Sequence, residues 1–147
     1  MEGSVPVGDM DTMFCLSFKL DHSKGHFAEM VLVLTTRRLI EFPPATELAT
    51  HNDDTAGCVW QAFSVMLSGT TDVGRKFHLM AISICSKKDF AAYQVIAAAI
   101  KQRRPDLEYR HSISDAACAI FNGFQLIFTD LVQHMCWYCN HSYTGTL

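Results

Sequence analysis

"RHSISDAACAIFNGF", residues 110–124, decides the fold, because a short strand pattern runs directly into an acid and then into a helix. After Asp115, apolar or small residues recur at helical spacing, at Ile120, Gly123, Phe124 and Ile127. An acid at a strand-to-helix junction serves either as the helix N-cap or as a metal ligand. Position alone favours the cap for Asp115, and both interpretations stay open here.

The segments on either side of this stretch alternate between strands and helices. Asp89 is a natural cap for the longest helix pattern, which Pro105 ends, and Asp72 and Gly74 mark a hairpin turn. Near-continuous apolar strands before that helix indicate burial on both faces of a sheet. The strand patterns are LATHND (48–53), VWQAFSVMLSG (59–69), RKFHLMAISIC (75–85), LEYRHSIS (107–114) and DLVQHMCWYC (130–139), with the long helix at 87–105.

From Leu48 the order is therefore β-β-β-α-β-α-β, which predicts a mixed sheet with helices on both faces. This is the strand order of the ribonuclease-H-like fold. Upstream, FCLSFKL alternates as a half-buried strand, HFAEMVLVL returns as a second strand, and TTRRLIEF starts a short helix that PPA ends. We divide the chain into a polar leader (1–12), an N-terminal hairpin and connector (13–45) and a C-terminally incomplete α/β domain (46–147).

Composition is that of a globular chain. Its 147 residues are 49% hydrophobic and 18% charged, with a net charge of −3, so neither wholesale disorder nor a global basic field for nucleic acid is expected. No apolar run reaches the roughly 20 residues of a membrane span. The N-terminus is acidic where a signal peptide is basic, and most cysteines stand singly in apolar runs. We expect an intracellular, reduced protein with no clear targeting signal.

Acids close two strands that are neighbours in a sheet of this order. Asp53 or Asp54 ends the first strand after Leu48, and Asp115 ends the fourth. Two carboxylates held close together repel, and a divalent cation relieves that repulsion. Two such cations clamp the attacking and leaving oxygens in phosphoryl transfer. The competing interpretations are a solvated turn at Asp53–Asp54 and a helix cap at Asp115.

Four stretches, in order and without large gaps between residues 48 and 141, resemble the catalytic domain of Mutator-like element (MULE) transposases. They are NDDTAGCVWQAFSVMLSGTTDVGRKFHLMAISICS, AYQVIAAAIKQ, SISDAACAIFNGFQLIF and MCWYCNH. The resemblance implies that Asp53, within Asp53-Asp54-Thr55, is the first catalytic acid and that Asp115 is the second. It also implies Mg²⁺ or Mn²⁺ as cofactor, DNA as partner and the nucleus as location.

The chain departs from the MULE pattern in informative places. Ala56 stands where the family has an aromatic residue, Leu79 where it has proline, and Cys139 where it has histidine. The family's third acid lies beyond the last motif, and we expect it to be absent. We therefore expect a truncated domain, a weakly held metal ion and little transposition by this chain alone. Asp72, Phe77 and His78 match the family's turn and third strand, and we assign them a structural role.

HMCWYCNH, residues 134–141, gathers potential zinc ligands, namely His134, Cys136, Cys139 and His141. Cys-x-x-Cys is half of a usual zinc site, but the sequence shows no second knuckle. An ordinary strand end is the favoured interpretation, zinc binding is possible, and a dithiol redox role is less favoured. The histidines at positions 22, 26, 51 and 111 are scattered along the sequence, and we assign them no role.

Two further interpretations compete with a transposase remnant. One is a non-catalytic, domesticated binding or interaction module that uses the same fold. The other is an active nuclease whose third acid comes from Asp130 or from a partner chain. A sheet face left uncovered would favour a homo-oligomer.

Overall fold

Residues 9–23, 29–43, 48–55, 63–114 and 118–135 are described by a computed structural model, and they form a seven-stranded mixed sheet with three helices. This confirms the predicted α/β class. None of the described helices is long and apolar enough to cross a membrane. In chain order the elements are β1 (Met13–Asp21), β2 (Glu29–Thr36), α1 (Arg37–Glu41), β3 (Leu48–Thr55), β4 (Ser64–Thr71), β5 (Phe77–Cys85), α2 (Phe90–Arg103), β6 (Tyr109–Ser114), α3 (Cys118–Gln125) and β7 (Val132–Met135).

The strands lie in the order β1-β2-β5-β4-β3-β6-β7 across the sheet. The neighbouring pairs β1–β2, β2–β5, β5–β4 and β4–β3 are antiparallel. The pairs β3–β6 and β6–β7 are parallel. The predicted succession of three strands, a helix, a strand, a helix and a strand is confirmed. The N-terminal hairpin extends the same sheet, because β2 pairs with β5 from Val31–Cys85 to Leu34–Ile82.

Local signals account for where the helices begin and end. The Thr36 side chain accepts a hydrogen bond from the Leu39 backbone N–H at 3.2 Å and so caps α1. Asp89 caps α2 in the same way, by accepting from the Ala92 N–H at 2.9 Å. The helix ends at Arg103 because Arg104 precedes Pro105, a position where helical backbone is disfavoured. The predicted cap and end of this helix are confirmed.

The β4–β5 hairpin turns around Asp72. Its carboxylate accepts the Lys76 backbone N–H at 2.9 Å and hydrogen bonds His78 Nε2 at 2.9 Å. The His78 contact is the main reason why the pKa of Asp72 lies below its usual value. Arg75 adopts a positive φ of 61°, which closes the turn. The predicted turn is confirmed, and Asp72 and His78 make turn contacts.

All three described helices pack into one hydrophobic core on a single sheet face, here called the helix face. The sequence predicted helices on both faces, and that expectation is wrong for the described helices. The physical reason is handedness. The crossovers β5-α2-β6 and β6-α3-β7 both move in the same direction across the sheet, and right-handed crossovers in one direction put their helices on one side. The largest fully buried core side chains are Tyr93, Phe124, Ile40, Met66, Met80, Ile96, Ile100, Leu107 and Ile120.

The opposite face, here called the open face, carries apolar rows that no described helix covers. In one row Leu34 pairs with Ile82, Ile82 with Leu67, and Leu67 with Asp53. Leu67 is 37% exposed. The sequence predicted that these strands are buried on both faces. Among the described residues, helices cover the helix face only. Apolar members of the open face on β1, β2, β4 and β5 include Phe18, Leu20, Leu32, Leu34, Val65, Leu67, Ile82 and Ile84.

Gly123 allows α3 to approach α2 closely, and its replacement tests this packing. A Cβ atom there would lie 2.7 Å from Tyr93 Cβ and 2.9 Å from the Gln94 backbone nitrogen. We expect Gly123→Ala to lower the free energy of unfolding by about 1–3 kcal/mol, because overpacking outweighs the better helix propensity of alanine. Urea denaturation followed by circular dichroism measures the change. Asn122→Ala, on the exposed side of the same helix, is the matched control, and equal stabilisation of both variants would contradict the close contact.

Candidate functional site

The end of β3 carries two neighbouring acids that point to opposite faces of the sheet. Asp53 pairs with Leu67 on the open face and is exposed. Asp54 pairs with Met66, a core residue of the helix face, and its side chain is only 3% exposed. Alternation along a strand thus separates the two carboxylates. The residue that the resemblance implies as catalytic, Asp53, is the accessible one.

Asp54 is held by Lys88, which lies just before α2, and by Tyr93 in the first turn of that helix. Its Oδ2 accepts a hydrogen bond from the Tyr93 hydroxyl at 2.6 Å and lies 3.1 Å from Lys88 Nζ. Its Oδ1 is buried and has no hydrogen-bond partner among the described residues. Burial of Cys85 raises the pKa of its thiol to about 11, and the negative charge of Asp54 adds to that effect. Asp54 is therefore a buried, paired carboxylate and not an accessible one.

A strip of buried polar side chains, here called the polar strip, crosses the helix face beside Asp54. Asn52 on β3 pairs with Ser68 of β4 on one side and with Ser114 of β6 on the other. Each of these three residues is at most 3% exposed. The side-chain oxygens that are buried without a hydrogen-bond partner in the described structure belong to Asn52, Asp54, Ser68, Ser83, Ser112 and Ser114. Buried groups of this kind are ordinarily satisfied by ordered water or by a bound group.

Asp53 has a different environment on the open face. Two residues before it on the same face is His51, whose ring lies edge-on to the ring of Phe77 with centroids 6.0 Å apart. Burial lowers the pKa of His51, which favours the neutral form of its ring. Asp53 thus lies at the end of an apolar row, two residues from a half-buried imidazole, with its own carboxylate open to solvent.

Asp115 itself lies outside the described residues, but its predecessor does not. Ser114 is the last described residue of β6 and pairs with Asn52 in the parallel β3–β6 ladder. Asp53 follows Asn52, and Asp115 follows Ser114 in the sequence. The structure therefore places the residues just before the two predicted acids side by side on adjacent strands.

Of the predicted zinc ligands, only His134 lies among the described residues. Cys136, Cys139 and His141 lie outside them. His134, on β7, hydrogen bonds His111 of β6, with 2.9 Å between His111 Nδ1 and His134 Nε2. Among the described residues, no three histidine, cysteine, aspartate or glutamate side chains form a group that could hold a metal ion.

Sequence reasoning missed Lys88, Tyr93 and His111 as site residues. Lys88 and Tyr93 are 34 and 39 positions from their partner Asp54, and His111 is 23 positions from His134. The sequence does indicate a core position for Tyr93, because Tyr93, Ile96, Ala97 and Ile100 recur at helical spacing in the helix predicted at 87–105. Long-range pairs of this kind follow from strand order and register, which no local pattern reveals.

Comparison of the chain with models of protein families, with curated proteins and with solved structures found no match.

The Tyr93–Asp54 contact can be tested by removing one hydroxyl group. We expect Tyr93→Phe to lower the free energy of unfolding by about 1–3 kcal/mol, because a buried carboxylate loses a donor. The matched control is Tyr109→Phe. That hydroxyl is also buried, but its one hydrogen-bond partner in the described part of the chain is the weak acceptor Met80 Sδ, at 3.1 Å. A loss of about 1 kcal/mol or less is therefore expected. Equal losses in chemical denaturation would contradict a special role for the Asp54 contact.

Proposed function

We propose that this chain is a fragment or remnant of a DNA transposase catalytic domain of the ribonuclease-H-like class, with Asp53 and Asp115 as its metal-binding acids. One observation carries the proposal. β3 and β6 are adjacent and parallel, and Asn52 pairs with Ser114, so each acid is the next residue after a paired position. The MULE resemblance of the sequence assigns these same two residues as the first and second catalytic acids.

The topology supports this class. Counted from Leu48, the five strands lie in the order third, second, first, fourth, fifth across the sheet. The second of them runs antiparallel to the rest. This is the arrangement expected from a meander of three strands followed by two parallel crossovers.

The chemistry of the proposed site is metal-assisted cleavage of a phosphodiester. Asp53 is exposed, so its carboxylate is free to approach a hydrated cation, whereas Asp54 already has Lys88 and Tyr93 as partners. Mg²⁺ keeps several waters and needs only one or two protein carboxylates. A second ion, which would complete the clamp on attacking and leaving oxygens, would be poorly held by two acids. We therefore propose weak binding of Mg²⁺ or Mn²⁺ and little strand transfer by this chain alone.

The test measures Mg²⁺ binding to the full chain by calorimetry and cleavage of labelled duplex DNA. Mg²⁺ is used because it prefers oxygen ligands, so histidines do not contribute to the signal. We expect weak Mg²⁺ binding that Asp53→Ala and Asp115→Ala each abolish, and little or no DNA cleavage. Glu108→Ala is the matched control, because Glu108 is also an exposed acid. Unchanged Mg²⁺ binding in Asp53→Ala and Asp115→Ala would contradict the proposal. Cleavage by the unsubstituted chain that Asp130→Ala removes would favour an active nuclease instead.

A second candidate function, a non-catalytic interaction module, is favoured by the open face. Phe18, Leu20 and Leu67 are 39%, 42% and 37% exposed there. Together with the partly buried Leu32, Leu34, Val65, Ile82 and Ile84 they form a continuous apolar surface on four neighbouring strands of the described structure. Surfaces of this kind mark protein contacts, including contacts between copies of one chain.

This second function predicts that a charge on the open face weakens association without unfolding the chain. We expect Leu67→Glu to shift the sedimentation profile of the chain towards the monomer, with unchanged circular dichroism. Val73→Glu is the matched control, because Val73 is 76% exposed in the β4–β5 turn, away from the open face. If the chain is an interaction module, we also expect it to bind its partner with unchanged affinity when Asp53 and Asp115 are both replaced by alanine. Association that both glutamate variants weaken equally would count against the open face.

A further inference from the structure

We propose that His111 and His134 together bind one divalent transition-metal ion of the Zn²⁺ class. The two imidazoles come from adjacent parallel strands, β6 and β7. His111 Nδ1 and His134 Nε2 lie 2.9 Å apart, and the ring centroids are 5.0 Å apart. Two imidazole nitrogens at this separation form a preassembled pair of metal ligands.

Strand register puts the two rings on the same face of the sheet. His111 pairs with Val132 and Ile113 pairs with His134. His134 is therefore two positions beyond the partner of His111, and residues two apart in a strand project to the same face. Both histidines are exposed, so an ion can reach them directly from solvent.

The spacing of the nitrogens suits a tetrahedral ion after a small movement. Zn–N distances of about 2.0–2.1 Å at a tetrahedral angle put two ligand nitrogens about 3.3–3.4 Å apart. In the hydrogen-bonded pair, one nitrogen donates the proton that the other accepts. A metal ion takes the place of that shared proton, so the rings need only separate slightly and turn both lone pairs towards one point. Because both rings are exposed, no core packing opposes this rotation.

The surroundings leave room for further ligands. His111 borders a surface cleft of about 630 Å³ that also contains Glu108, Arg110 and Asp130. The fourth charged residue of the cleft, Lys101, donates hydrogen bonds to the carbonyl oxygens of Pro105 and Leu107. The two acidic and two basic side chains of this cleft balance in charge. Because both histidine rings are exposed, water molecules can complete the coordination of an ion.

His111 supplies what the sequence hypothesis of a zinc site lacked, namely a ligand from a separate segment. That hypothesis grouped His134 with Cys136, Cys139 and His141, all within eight residues of one another. An ion shared by His111 and His134 would also tie β7, a four-residue strand, to β6. The inference uses side chains of β6 and β7 and neither of the acids assigned to the transposase site, so it does not depend on the transposase proposal.

The experiment measures Zn²⁺ affinity of the full, reduced chain by competition with a chromophoric chelator. We expect His111→Ala and His134→Ala each to lower the affinity for Zn²⁺ by about tenfold or more, a loss that even residues supporting a ligand can bring. The double variant loses little beyond either single variant, because both rings hold the same ion. His22→Ala replaces an exposed histidine directly after β1, the edge strand opposite β7, and leaves the affinity unchanged.

A second measurement separates metal binding from folding. Zn²⁺ raises the melting temperature of the unsubstituted chain over that in EDTA, because it binds the folded state, and His111→Ala removes this rise without changing the value in EDTA. Affinity in His111→Ala equal to that of the unsubstituted chain overturns the proposal. So does loss of Zn²⁺ in Cys136→Ser/Cys139→Ser with full affinity in His111→Ala, because the cysteines would then hold the ion without the histidine pair.

Discussion

The parallel pairing of β3 with β6 is the constraint on which the rest of the structure depends. Up to β5 the chain forms antiparallel pairs, which short turns can connect. A parallel neighbour for β3 requires a crossover of a dozen or more residues, and α2 with its flanking segments provides it. The same pairing moves β6 and β7 beyond β3, so that both crossovers run in one direction. A single packed face and a single open face follow from that choice.

The polar strip is a consequence of the same pairing. Thr50 and Asn52 of β3 lie opposite Ser112 and Ser114 of β6, and all four are buried on the helix face. Hydroxyl and amide groups left without partners in such a place lower stability, by about 1–3 kcal/mol for each group. An apolar strand pair would avoid that cost. The buried negative charge of Asp54 adds to it and explains why one carboxylate oxygen has both Tyr93 and Lys88 as partners.

Local chemistry made much of the fold predictable from the sequence. Asp89 and Pro105 mark α2 because a cap and a proline act on their immediate neighbours, and Asp72 marks its hairpin for the same reason. Strand order followed from the succession of patterns. The side of the sheet taken by the helices was predicted wrongly, because it depends on the direction of two crossovers together. The partners of Asp54 and His134 could not be predicted from the sequence. Strand register and helix placement bring Tyr93 to Asp54 and His111 to His134, and sequence spacing does not show either.

The two candidate functions compete for the same side of the molecule. Asp53 closes the row in which Leu34, Ile82 and Leu67 pair across four strands. A phosphodiester that reaches a metal ion on Asp53 must approach from the open face, over this apolar surface. A protein partner or second copy seated on Leu67 and its neighbours would exclude water and nucleic acid from that approach. The ion pair between Lys88 and Asp54 lies on the helix face, away from this surface. Both proposed functions therefore require the open face and neither requires that ion pair.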